Sequence, residues 1–135
     1  FGKNADAYMN SIEKNIIGVI QIETKSSINH IDDIAAIEGV DVLFVGPNDL
    51  SLALGVFGQL DHPLYQQAIK EVARAAKKYH KSAGVLLMDS KEYDMYFQLG
   101  YRFLACGADG SFVAKGANEM VNQLSAYREK VKPSI

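Results

Sequence analysis

The segment Gly39-Val40-Asp41-Val42-Leu43-Phe44-Val45-Gly46-Pro47-Asn48-Asp49-Leu50-Ser51 decides how this chain folds. Val40–Val45 is rich in β-branched and aromatic side chains and almost continuously apolar, the pattern of a strand covered on both faces. Gly39 suits the residue just past a helix end. Gly46-Pro47 closes the strand, and Asn48-Asp49-Leu50-Ser51 reads as the start of another helix. Helix, buried strand, helix is the repeating unit of a parallel α/β fold.

The same unit recurs on either side. Ile16–Glu23, Ala83–Met88 and Tyr101–Cys106 read as three more buried strands. Ser26 or Ser27 can cap a helix whose Ile28, Ile31, Ile34 and Ala35 share a face. Asp61-His62-Pro63 opens a second, with Leu64, Ala68, Val72, Ala75, Ala76 and Tyr79 as its apolar stripe. Asp89 and Ser90, with Glu92 following, open a third that stops at Gly100. A fourth is predicted from Asn118 to Val131, with Met120, Val121, Leu124 and Tyr127 inward. The first fifteen residues resemble the tail of one more helix, through Ala5, Tyr8 and Ile12. Pro47–Asp61 carries too many apolar residues for an open loop and is predicted to be a helical turn over the strand ends. Strands alternating with helices imply right-handed crossovers and a parallel sheet of about four βα units spanning residues 1–135.

Composition narrows the function. The 135 residues hold 14 Lys plus Arg against 16 Asp plus Glu, so the net charge of -2 makes no electrostatic case for nucleic acid. With 48% apolar and 22% charged residues the chain is not a disordered one. Its longest apolar stretches, such as Val40–Pro47, are far short of the ~20 residues that span a bilayer, which excludes a membrane partner at this level. No signal-peptide pattern is visible. A single cysteine, Cys106, points to a reducing, cytoplasmic setting, and its place in a strand predicts a buried apolar role. Tyr65, Tyr79, Tyr93, Tyr96 and Tyr101 are scattered, as packing residues are. Residue 1 is Phe, so the chain is expected to be processed or part of something longer.

In parallel α/β folds the chemistry lies where strand carboxyl ends open into loops. Glu23 closes the first predicted strand and Asp49 follows the second. Strands about 4.8 Å apart let such carboxylates share an ion or a substrate. Gln21, two residues before Glu23, points to the same side of the sheet. Two hard oxygen ligands with open positions suit Mg²⁺ or Mn²⁺. The amides at the start of the Asn48–Ser51 helix could hold a substrate carboxylate. Two plainer readings stay open: Asp49 as a helix cap, and Glu23 paired with a lysine.

Val19-Ile20-Gln21-Ile22-Glu23-Thr24, together with Gly46-Pro47-Asn48-Asp49-Leu50-Ser51, closely resembles the HpcH/HpaI aldolase family, a group of metal-dependent (β/α)₈ barrel enzymes that act on 2-oxo acids. His62-Pro63, the Ala83–Met88 strand and Ala105-Cys106-Gly107-Ala108-Asp109 extend the likeness over nearly the whole chain. The resemblance implies Glu23 and Asp49 as ligands of a divalent metal, Mg²⁺ or Mn²⁺ with Co²⁺ as an alternative. It implies Gln21 as a contact to the 2-oxo acid and the Asn48 and Asp49 backbone as the seat of its carboxylate. The reaction implied is reversible aldol cleavage of a 4-hydroxy-2-oxo diacid to pyruvate, or a close relative, and an aldehyde, whose half would lie near Leu86 or Leu87. No Schiff-base lysine is needed, and no lysine stands at a strand terminus.

A (β/α)₈ barrel has eight strands in about 250 residues, so four strands imply the C-terminal half. The resemblance also implies a catalytic His and Arg in the other half, and none is identified here. His30 falls inside a predicted helix, His62 at a cap and His80 at a helix end. Arg74 and Arg128 fall on helices, and Arg102 in a strand. Alone, the chain should therefore be nearly inactive. Two alternatives accompany the aldolase reading: a non-catalytic half-barrel that serves as an interaction protein, and a phosphate-binding barrel enzyme using the Gly107–Gly116 turn. Two unpaired sheet edges predict a homo-oligomer.

Overall fold

A computed structural model describes residues 4–87 and 89–128. They divide into two compact units, Phe1–Ala105 and Cys106–Ile135. Strands β1 (Val19–Ile22), β2 (Val42–Val45), β3 (Ser82–Leu87) and β4 (Tyr101–Cys106) form one parallel sheet in chain order. Register places Gln21 beside Phe44 and Phe44 beside Gly84, so the three make one row across the sheet. The fold class is the one expected, and three of the four strand boundaries shift. Pairing of β1 and β2 starts late because the Gly18 N–H donates to the Asp41 carboxylate at 2.7 Å, a side-chain bond at the place of a ladder bond. Met88, the expected end of β3, and Val131, the expected end of the last helix, lie outside the described residues.

The helix that follows β1 is capped by Thr24, not by Ser26 or Ser27. Ser27 is its reciprocal partner: the Ser27 amide donates to Thr24 Oγ1 at 3.0 Å and the Thr24 amide to Ser27 Oγ at 3.1 Å. The run then breaks at His30 into α3 (Lys25–Asn29) and α4 (Ile31–Ala35), so His30 occupies a junction rather than a helix interior. The N-terminal tail also breaks, into α1 (Ala5–Met9) and α2 (Ile12–Asn15), where the Ser11 hydroxyl donates to the Tyr8 carbonyl.

Pro47–Leu54 is the helix α5, stopped by Gly55 in the left-handed region. His62 caps α6 (Pro63–Lys78) by accepting the Leu64 amide on Nδ1. Leu64 itself is half exposed, and the buried stripe is Tyr65, Ala68, Ile69, Val72, Ala75 and Ala76. Tyr65 takes the place expected of Leu64 because its hydroxyl meets that of Tyr96 at 2.8 Å in the interior. Asp89 opens a short 3₁₀ turn, Ser90–Glu92, which leads into α7 (Tyr93–Leu99).

The core lies between α6 and one face of the sheet, around Ile22, Leu43, Val45, Ile69, Val72 and Val85. Tyr65, Tyr96 and Tyr101, dispersed in sequence, converge there: the Tyr101 hydroxyl donates to the Ile69 carbonyl at 2.9 Å, edge-on to the Tyr96 ring. The opposite face of the sheet carries Gln21, Phe44, Gly84 and Phe103. Burial on both faces was expected, yet Val19 and Phe103 are more than a third exposed because the core helices pack on the other face, and Ile20, on the core face, is so too because β1 is an edge strand.

In the second unit, α8 runs Asp109–Arg128, starting well before Asn118. Met120, Val121, Leu124 and Tyr127 are each more than half exposed; a lone helix has nothing of its own against which to bury them. Cys106 is exposed as well, at the strand's last position, where the expectation was burial. Among the described residues no helix is long and apolar enough to cross a membrane.

Candidate active site

Glu23 directly follows β1, and Gly46 directly follows β2. Gly46 is also the N-cap of α5, and Pro47, with its fixed φ, occupies the first helical position. That geometry turns the chain sharply and returns Asp49, in the first turn of α5, over the end of β1. A Cβ on Gly46 would lie 3.2 Å from Glu23 Oε2 and 3.7 Å from Asp49 Oδ2, so both carboxylate oxygens fall within 3.7 Å of one point. Glycine at this position leaves the space between them open.

Neither carboxylate has a hydrogen bond or an ion pair to another described residue. Asp49 makes no capping bond, and no lysine pairs with Glu23, so neither of the two plainer readings fits. Glu23 is half-buried and Asp49 is exposed. Unpartnered oxygens converging on a gap suit a hard divalent cation that keeps positions free for substrate oxygens. No third His, Cys, Asp or Glu joins them among the described residues.

The Asn48 and Asp49 N–H groups precede the first intrahelical bond of α5, from the Leu50 amide to the Gly46 carbonyl at 2.9 Å, and are free to bind an anion. Ser51, fully buried, fixes this turn: its hydroxyl donates to the Asn48 carbonyl at 3.0 Å and accepts the Gly58 amide at 3.1 Å. The sequence offered no signal for that clamp beyond the Ser itself. Gln21 lies one step down β1 from Glu23, on the same face. The structure thus brings Glu23 and Asp49 together at the start of α5, beside the Asn48 and Asp49 amides, with Gln21 on the same face of β1 as Glu23.

A family model for HpcH/HpaI aldolase/citrate lyase covers residues 4–116. The chain belongs to the HpcH/HpaI aldolase/citrate lyase family. A 5-keto-4-deoxy-D-glucarate aldolase of Salmonella paratyphi C (strain RKS4594) is 42% identical over 84% of this chain and 44% of its own length. The solved HpcH/HpaI family protein of Burkholderia cenocepacia J2315 superimposes with a TM-score of 0.80 at 30% identity, over 93% of this chain and 48% of that one. The HpcH/HpaI aldolase of Desulfitobacterium hafniense DCB-2 gives 0.77 at 26% identity, over 95% and 48%. The chain spans less than half the length of the curated relatives it matches. Its four βα units correspond to half of the barrel of this family.

Other sequence candidates lie elsewhere. His30 contacts Asp33, His62 caps α6, and His80 follows α6 with a φ of 56°. Arg74 is tied to Asp32 and Glu71, and Arg102 lies over the Phe97 ring. The Gly107–Gly116 segment is not a glycine-rich turn, since Gly110 and Gly116 lie inside α8. There the Ala108 and Gly110 amides are already taken by Ser111 Oγ and by Asp109 Oδ1, and the Asp109 carboxylate would repel a phosphate. A hollow of about 720 Å³ lined by Ile12, Ile16, Gly18, Glu38, Gly39 and Asp41 lies at the opposite end of the strands and shares no residue with the site.

Proposed function

We propose that the full-length protein containing this chain carries out reversible, divalent-metal-dependent aldol cleavage of a 4-hydroxy-2-oxo diacid, releasing pyruvate or a close 2-oxo relative and an aldehyde. The observation that carries this reading is the convergence of Glu23 and Asp49, both unpartnered, on the gap above Gly46. The substrate for which the relatives are named agrees with it. Numbered from the keto end, 5-keto-4-deoxy-D-glucarate has its keto group on the second carbon, a methylene on the third and a hydroxyl on the fourth.

Glu23 and Asp49 would hold Mg²⁺ or Mn²⁺, with Co²⁺ as an alternative. Bound there, such an ion supplies Lewis-acid stabilisation of the negative charge that develops on the 2-oxo oxygen as the carbon–carbon bond breaks. The Asn48 and Asp49 amides bind the carboxylate next to the keto group, supported by the positive end of α5. Gln21 donates its amide to the bound 2-oxo acid. Proton transfer at the fourth-carbon hydroxyl falls to a group outside this chain, because its three histidines are placed elsewhere. General acid–base help is worth about 10²–10⁴-fold, so the isolated chain should be nearly inactive. Cytoplasmic residence, in keeping with a single thiol, belongs to the same proposal.

The test is Mn²⁺-dependent pyruvate release from a 4-hydroxy-2-oxo diacid by the full-length protein. Glu23→Ala and Asp49→Ala should each lower kcat/KM at least ~100-fold, since several kcal/mol of charge stabilisation are lost. Unchanged rates in both would remove the ligand assignment. No metal-stimulated release by the wild type would favour the non-catalytic half-barrel instead.

A further inference from the structure

The row Gln21–Phe44–Gly84 crosses the open face of the sheet one step below the carboxylates. Phe44 stands in its middle, and the ring has two directions in which to lean. It leans away from Gln21: Phe44 Cδ2 lies 2.8 Å from where a Cβ of Gly84 would be, and the ring meets that of Phe103 edge-on with centroids 6.0 Å apart. Gly84 permits this because it has no side chain. A Cβ there would also stand 2.9 Å from Val42 Cγ1 and 3.0 Å from the Phe103 carbonyl. The carbonyl belongs to the neighbouring strand and cannot yield, so the groups that must move are Val42 and the Phe44 ring, and the ring's free direction is toward Gln21. Gly84 has an ordinary extended conformation and no positive φ, so the need for glycine is one of space, not of backbone strain.

On the reading that Gln21 and Glu23 border the 2-oxo acid site, we infer that Gly84 and Phe44 together set how large a 2-oxo acid this protein accepts. Gly84 parks the ring over β3 and so keeps a small apolar space beside Gln21 for the third carbon of the donor. Neither residue carries an acid, a base or a metal-ligating atom. Their part is to shape the wall against which the methyl or methylene carbon rests, and a wall of this kind discriminates by size.

The prediction is a pair of opposite shifts. In the full-length protein, the ratio of kcat/KM for pyruvate to that for 2-oxobutanoate, each with the same aldehyde in the condensation direction, should rise in Gly84→Ala and fall in Phe44→Leu. A shift of about tenfold or more each way is expected, the range for one methylene in an apolar pocket. A merely structural role would lower both donors together and leave the ratio unchanged in both variants, which would overturn the inference. Should Gly84→Ala fail to fold, Phe44→Leu and Phe44→Ala keep it testable: a ratio equal to wild type in both overturns it. A wild type with no metal-dependent activity on either donor would instead defeat the aldolase reading itself.

Discussion

At the scale of single residues, the site depends as much on an absent side chain as on those present. Gly46 is buried between two carboxylates that have no other described partner, and an alanine there would put a methyl group 3.2 Å from Glu23 Oε2. Its φ of -93° suits any residue, so Gly46→Ala should fold. We expect it to weaken Mn²⁺ about tenfold or more, as changes beside metal ligands do, read directly by titration calorimetry on the full-length protein. Unaltered Mn²⁺ affinity would show that the two carboxylates do not converge on the ion there. The residue identities were legible in the sequence: Gln21, Glu23, Asn48 and Asp49 stand out as polar groups at the carboxyl ends of apolar strands. The roles of Gly46, Ser51 and Gly84 were not, because a glycine's need for empty space and a serine's burial are set by atoms distant in sequence.

At the scale of elements, periodicity located the strands and helices well and the faces less well. β4 was read with its observed limits, whereas α6 lost Leu64 from its stripe to Tyr65. A helix can turn its stripe by one residue when that pays, and here a Tyr65–Tyr96 hydrogen bond, invisible in either segment alone, supplies the reason. The packing of α4 on α6 is braced by Asp32, which meets Arg74 at 2.6 Å and Lys78 at 2.9 Å. The Arg74 guanidinium first, and the Lys78 ammonium after it, hold the Asp32 carboxyl well below the usual carboxylate range. A carboxylate depressed in the folded state adds stability that is complete above its ordinary value of 3.8 and is lost as pH falls toward the folded value. Asp32→Asn should therefore lower Tm slightly at neutral pH and make its decline below pH about 4 shallower. The difference should shrink in high salt because the cluster is exposed. Identical Tm profiles for variant and wild type from pH 2 to 7 would show that the brace contributes nothing.

At the scale of the whole molecule, the sheet of the first unit has β1 and β4 at its two edges and helices on one face only. We propose that the 135-residue chain by itself associates, since unpaired parallel edges and the exposed Val19, Ile20 and Phe103 favour further pairing. Light scattering at micromolar concentration should show oligomers or aggregates, and a monodisperse monomer would refute this. The sequence by itself determined the alternation of strands and helices, the parallel class of the sheet and the family, because these follow from local periodicity and from two short words whose spacing is specific. Only the tertiary structure decided which carboxylates stand unpartnered, where Phe44 leans and which sheet face lacks a helix layer. Those are properties of space between segments, and a linear pattern carries no record of the distance across a gap.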